Sequence, residues 1–248
     1  MHPGNSKHRI DSHMFLLKQG DTNPHPSQRE GEGDINADYV ARTTKFLETY
    51  SDRMMGFRKD DKTGEEERYR EFDLAMLGPC NKYENYGYVV QNDGERVKPC
   101  VFIELNPIWG WTPEPYNCEA EKEKGWDSGA PCLPEVEKHI KSQGPDAENN
   151  VYINCRGRYP ADQEALEGGL EYFPSNRGFP ISYFPFKGRG SEAGGNFHAP
   201  LVAVKINPKS WMGNHGQLIH IECNAYYKDV KHDTNGTVTF ELQIKDCF

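Results

Sequence analysis

Two stretches near the carboxyl end alternate in hydropathy over almost their whole length. They are Leu218-Ile-His-Ile-Glu-Cys-Asn-Ala-Tyr226 and Thr237-Val-Thr-Phe-Glu-Leu-Gln-Ile244. A period of two sends every apolar side chain to one face, which is the pattern of an antiparallel sheet with one wet side. Asn235-Gly236 lies between them, and that dipeptide accepts the left-handed backbone of a hairpin turn. The pair therefore predicts two adjacent antiparallel strands and commits the chain to a layered β architecture.

The rest of the chain agrees. Strand-like segments recur at Tyr69–Met76, Val97–Leu105, Asn150–Cys155, Leu201–Ile206, Leu218–Tyr226 and Val238–Ile244, separated by turn-forming residues. Val97–Leu105 reads as half-buried, with Pro99 near its start, where a proline is tolerated. Aromatic-rich chains with 24 glycines and 17 prolines suit short strands and turns better than helical bundles. One helix stands out. Tyr39, Val40, Thr43, Phe46, Leu47, Tyr50 and Met54 form an apolar-leaning face, opposite Asp38, Arg42, Lys45 and Glu48, and Asp34 or Asn36 can cap the first turn. Residues 57–68 are charged and read as an exposed loop. The first 35 residues are polar and read as a disordered tail. The expected organisation is a tail over 1–35 and one domain over 36–248, with the helix over about 36–54 and a β-sandwich over about 69–246.

Several function classes drop out. Basic residues number 29 against 38 acidic, a net charge of −9, so a phosphate backbone is an unsuitable partner and no nucleic acid is expected. The longest apolar patch is Met14–Leu17, far short of a membrane span or a signal peptide, so no membrane span is expected in this chain. No HExxH, GxSxG or Walker A sequence occurs. Gly188-Arg-Gly190-Ser-Glu-Ala-Gly194-Gly195 has the glycines of a phosphate loop but no helix pattern after it, so it reads as a hairpin loop. His198, His215, His220 and His232 have no ligand spacing, and no CxxC occurs, so neither metal nor cofactor is expected. The chain is read as non-catalytic. An enzyme using a free cysteine is the rival that seven free thiols would favour.

The seven cysteines are Cys80, Cys100, Cys118, Cys132, Cys155, Cys223 and Cys247. Cys80 follows a Leu-Gly-Pro turn, and Cys118 and Cys132 fall in a Gly/Pro/charged segment read as a loop, which favours pairing over buried thiols. Nearest-neighbour pairing would join Cys80 to Cys100 and Cys118 to Cys132. Six cysteines allow fifteen arrangements, however, and composition leaves the connectivity open. With nearest neighbours joined, Cys155–Cys223 would then link two strands distant in sequence, and loops of about 15 to 70 residues would each contribute roughly 3–4.5 kcal/mol in the chain-entropy picture. Asn235-Gly236-Thr237 is a glycosylation sequon at a turn.

Taken in order, four regions of the chain resemble the β subunit family of sodium/potassium (or gastric-type hydrogen/potassium) transporting ATPases. The first is Tyr86-Gly-Tyr88 leading to Lys98-Pro-Cys-Val-Phe-Ile-Glu-Leu-Asn106 and Gly110-Trp111-x-Pro113. Gly178-Phe-Pro-Ile-Ser-Tyr-Phe-Pro-Phe186, Ala199-Pro-Leu-Val-Ala-Val204 and His220-Ile-Glu-Cys-Asn-Ala-Tyr226 follow. The helix Tyr39–Tyr50 is similar to that family's ectodomain helix. The likeness runs over about 36–246 and is weakest in 57–68 and 116–148.

The resemblance implies an extracellular, immunoglobulin-like antiparallel β-sandwich with one long helix packed on it. It implies a non-catalytic subunit supporting assembly, surface delivery and potassium handling of the ion-pumping α subunit. It also implies disulfides Cys80–Cys100 and Cys155–Cys223, with Cys118–Cys132 an additional pair and Cys247 left over. The family segment implicated in α contact maps onto Tyr183, Phe184, Pro185 and Phe186, where phenylalanine twice replaces tyrosine and two hydroxyls are lost. The family's first disulfide has no counterpart, Arg70 standing about where its second cysteine falls. The short cytosolic tail and membrane helix of most members have no counterpart either. The expectation is therefore the outward-facing part of a pump complex, as a fragment or a secreted relative. The alternative is a secreted or surface adhesion module of the same fold with an adhesion partner and no pump.

Overall fold

The computed structural model of the chain describes residues 10–11, 35–50, 57–59, 66–68, 72–89, 97–106, 108–125, 128–186, 198–209, 217–233 and 235–244. The tail apart from Ile10–Asp11, the expected end of the helix at Met54, Arg70, Gly188–Gly195, His215 and Cys247 lie outside the described residues.

The strands are β1 (Ile10–Asp11), β2 (Phe57–Lys59), β3 (Glu66–Arg68), β4 (Cys100–Leu105), β5 (Asn150–Gly157), β6 (Leu170–Phe173), β7 (Gly178–Pro180), β8 (Leu201–Ile206), β9 (Gln217–Tyr226) and β10 (Thr237–Ile244). The α-helices are α1 (Ile35–Glu48), α2 (Cys118–Lys124), α3 (Pro134–Ser142) and α4 (Pro160–Leu166). Sheet one has the order β1-β4-β8-β6 and sheet two the order β10-β9-β5-β7. Every ladder in both is antiparallel.

The expected sandwich is present, and alternation explains its core. Val101, Ile103 and Leu105 of β4 and Val202, Val204 and Ile206 of β8 bury against Val151 and Ile153 of β5, Ile219, Ile221 and Ala225 of β9 and Phe240 of β10. A second core lies on the opposite face of sheet one. There Cys100 and Phe102 of β4 and Leu201 and Ala203 of β8 pack with Leu47 of α1 and with Phe72, Leu77, Tyr86 and Tyr88. The molecule thus has three layers, and β4 and β8 of sheet one are buried on both faces. All six residues of β4 are buried. The half-buried reading of Val97–Leu105 is corrected: its outward face is covered by the helix layer rather than by water.

Helix α1 follows its apolar stripe. Thr43 and Leu47 are buried, Tyr39, Val40, Phe46 and Tyr50 pack beside them, and Tyr39 meets Tyr88 at 5.7 Å between ring centroids. The Arg42–Asp38 pair on the far side is more than half exposed and adds little.

Other expectations are corrected. One helix was expected, but α2, α3 and α4 are also present, and Cys118 lies on α2 rather than in a loop. Asn117 caps α2 by accepting from the Ala120 N–H at 3.1 Å, with Glu119 and Glu121 in the first turn and Lys122 and Lys124 in the last, where the helix dipole favours them. Pro134 and Pro160 open α3 and α4, where the missing N–H costs nothing. Leu74–Leu77, overlapping the end of the strand-like Tyr69–Met76, forms a 3-10 turn capped by Asp73. In the segment read as an exposed loop, β2 and β3 pair as a short antiparallel ribbon. The β9–β10 hairpin forms with Asn224 opposite Thr237. Its connection is ten residues long rather than a two-residue turn at Asn235-Gly236, because Tyr227 and Val230 fold back into the core.

Candidate partner-contact site

The chain leaves sheet two along β7 and turns through a 3-10 helix over Ile181–Tyr183. The Phe184 N–H closes that turn on the Ile181 carbonyl at 2.9 Å. Pro185 follows, where no N–H is required, and Phe186 then pairs with Trp109 in a single parallel bridge. The Gly110 N–H donates to the Phe186 carbonyl at 2.8 Å and fixes the register.

The four residues expected to meet a partner do not share one environment. Phe184 is 8% exposed and belongs to the core, edge-on to Trp111 at 5.7 Å. Trp111 in turn meets Tyr227 at 5.3 Å. Burial pushes the Tyr227 phenol up to about 12, so it stays neutral. Tyr183, Pro185 and Phe186 are half-buried. Tyr183 faces Phe72 at 6.4 Å on the helix side of sheet one, and Phe186 faces Trp109 at 6.4 Å. Trp109 itself is 71% exposed. Trp109 stands just before the Gly110-Trp111-x-Pro113 motif and is not part of it. Its exposure depends on a bridge to a residue far along the chain, which no local pattern reports.

Beside this ledge, Lys228 reaches Glu114 at 2.6 Å and its N–H donates to the Glu114 carbonyl at 3.0 Å. The β9–β10 connection is thereby tied to the segment after Trp111.

The six paired cysteines are brought together as Cys80–Cys100, Cys118–Cys132 and Cys155–Cys223. Cys80–Cys100 fastens the 3-10 turn region to β4 beneath α1. Cys118–Cys132 ties the start of α2 to the segment before α3 and is half-buried. Cys155 and Cys223 stand directly opposite each other on β5 and β9, with Cα atoms 3.9 Å apart. Asn235 is half-buried; its Oδ1 accepts from the Lys231 N–H at 2.8 Å, and the Thr237 hydroxyl donates to Asn224 Oδ1.

No group of three or more His, Cys, Asp or Glu side chains suited to a metal occurs among the described residues. Nor is any helix among them long and apolar enough to cross a membrane.

Comparison with known proteins places these features in a family. The family model described as sodium/potassium ATPase beta chain matches residues 30–242. The chain is 33% identical over 174 residues to the sodium/potassium-transporting ATPase subunit beta-1 of Drosophila melanogaster, covering 67% of this chain and 47% of that protein. It is 34% identical over 177 residues to subunit beta-2 of the same organism, covering 69% and 48%. Human subunit beta-2 is 24% identical over 217 residues, covering 83% of this chain and 63% of the relative. The chain thus spans about half the length of the Drosophila relatives it matches. The β-sandwich, the helix laid on it and the ordered motifs belong together: the chain is a member of the sodium/potassium ATPase beta chain family.

Proposed function

We propose that this chain is the outward-facing part of a non-catalytic regulatory subunit of a P-type cation pump. It binds the catalytic α subunit on the extracellular side and supports its assembly, surface delivery and potassium handling. The observation that carries the reading is the half-exposed pair Tyr183 and Phe186, held on a rigid ledge within a family whose named members are pump subunits. Aromatic side chains at the centre of a patch suit a protein interface. Three disulfides suit an oxidising compartment. Asn235 is the proposed glycan acceptor.

The test is co-expression with a sodium/potassium pump α subunit. Phe186→Ala and Tyr183→Ala are expected to reduce co-purification while the thermal unfolding midpoint stays near wild type. Equal co-purification at equal expression removes this surface from the interface. A folded wild-type chain that captures no α subunit overturns the pump reading in favour of an adhesion module.

A further inference from the structure

We infer that Trp109 is the anchor of the partner contact, inserting into an apolar pocket of the pump's catalytic subunit that carries an oxygen acceptor at its base. The inference rests on the pump-subunit reading and extends it to a residue outside the Tyr183–Phe186 segment.

Two observations carry it. The indole is 71% exposed, yet its backbone is pinned by the bridge to Phe186 and by the Gly110 N–H on the Phe186 carbonyl at 2.8 Å. A large ring carried on a fixed backbone adds no backbone ordering cost on binding, which favours an interface hot spot. Second, the ring continues the contact segment, lying edge-on to Phe186 at 6.4 Å, while Phe184 is withdrawn into the core against Trp111. The outermost part of the ledge is therefore Trp109.

The chemistry of the pocket follows from what the ledge offers. Phe184 and Phe186 have no hydroxyl. The indole N–H of Trp109 is a donor only, and a buried donor needs an acceptor. A complementary pocket is apolar along its walls and presents a carbonyl or carboxylate oxygen to that N–H.

The experiment titrates the folded chain against a purified, detergent-solubilised pump α subunit and compares variants by dissociation constant. Trp109→Ala is expected to weaken binding by about thirtyfold, the scale of a hot-spot truncation. Trp109→Phe, which keeps a ring and loses the N–H, is expected to fall between the two. Tyr83→Ala removes an 80% exposed ring away from the ledge and is expected to bind as wild type. Trp109→Ala with wild-type affinity and an unchanged unfolding midpoint overturns the anchor while leaving the pump reading intact. Absence of binding by the wild-type chain overturns both. Loss of flotation with phosphatidylcholine vesicles on Trp109→Ala, at unchanged affinity for the α subunit, reassigns the indole to a bilayer surface and overturns the proposal.

Discussion

The hydroxyl of Tyr172 serves both backbone groups of Cys155: the Cys155 N–H donates to it at 2.8 Å, and it donates to the Cys155 carbonyl at 3.4 Å. Tyr172 lies on β6 of sheet one and Cys155 on β5 of sheet two, so the contact fastens the two layers. The β7 ladder covers β5 over Asn150–Tyr152, the Ile153 N–H goes to the Arg177 carbonyl at 2.8 Å, and at Cys155 the Tyr172 hydroxyl takes that role. Tyr172→Phe keeps the ring and strands both groups, an expected loss of about 1–3 kcal/mol. Urea unfolding measures it, and a change below about 0.5 kcal/mol would show that water replaces the hydroxyl there.

The three disulfides should not be equivalent. Cys155–Cys223 closes a separation of 68 residues and Cys118–Cys132 one of 14. The chain-entropy picture assigns about 4 and about 3 kcal/mol to loops of those sizes. Cys80, Cys100 and Cys223 are wholly buried and Cys155 nearly so, whereas Cys118 and Cys132 are half-buried. Under graded reduction with alkylation and peptide mapping, Cys118 and Cys132 should label first. Earlier labelling of Cys155 or Cys223 would contradict this order.

Gly87 has φ +76°, and a Cβ there would lie 1.9 Å from the Lys98 carbonyl oxygen. That carbonyl belongs to the segment before β4, which approaches across the Lys98 N–H to Gly87 carbonyl bond of 3.0 Å. Neither the backbone angle nor the approach admits a side chain. Gly87→Ala should lower stability by at least about 2 kcal/mol, beyond the cost of a strained backbone alone. A near-normal yield and melting temperature would mean that the Lys98 segment moves aside freely.

Two histidines make stability fall on acidification. Burial holds His139 and His232 below the ordinary imidazole value; the hydrogen bonds to the Asn176 and Ala225 carbonyls oppose this only in part. With folded values lowered, the unfolded chain binds more protons. Their contribution is complete above about pH 6.5, the unfolded value, and is lost as pH falls through the folded values. The urea midpoint should drop between pH 7.5 and 5.5, and His139→Gln with His232→Gln should flatten that slope. An unaltered slope in the double variant would assign the effect to other groups.

Alternation made β9 and β10 readable, a short continuous apolar run made β8 readable, and the stripe on α1 made that helix readable too. β4 was found but its surroundings were not. Cys-Val-Phe-Ile-Glu-Leu is apolar at nearly every position, and which faces are covered depends on where α1 docks. The short helices α2 and α3 were missed because charge dominates them. Their end signals, Asn117 before Glu119 and Pro134 before Glu135, were present in the sequence. At the candidate contact site, the family resemblance, and no local pattern, pointed to Tyr183 through Phe186. The packing of Phe184 against Trp111 turns that side chain into the core and leaves the other three half-buried.

The double-sided burial of β4 has a consequence for synthesis. Its neighbour β8 pairs Cys100 with Lys205, so about a hundred further residues must emerge before the ladder can form. At roughly 5–20 residues per second that is many seconds. Throughout this interval an apolar strand can form only its short ladder with β1, and Cys100 can meet Cys80 before the β8 ladder exists. Folding is therefore completed late in translation or after it, and β4, with Cys100 at its start, is a segment on which a chaperone or a thiol isomerase has time to act.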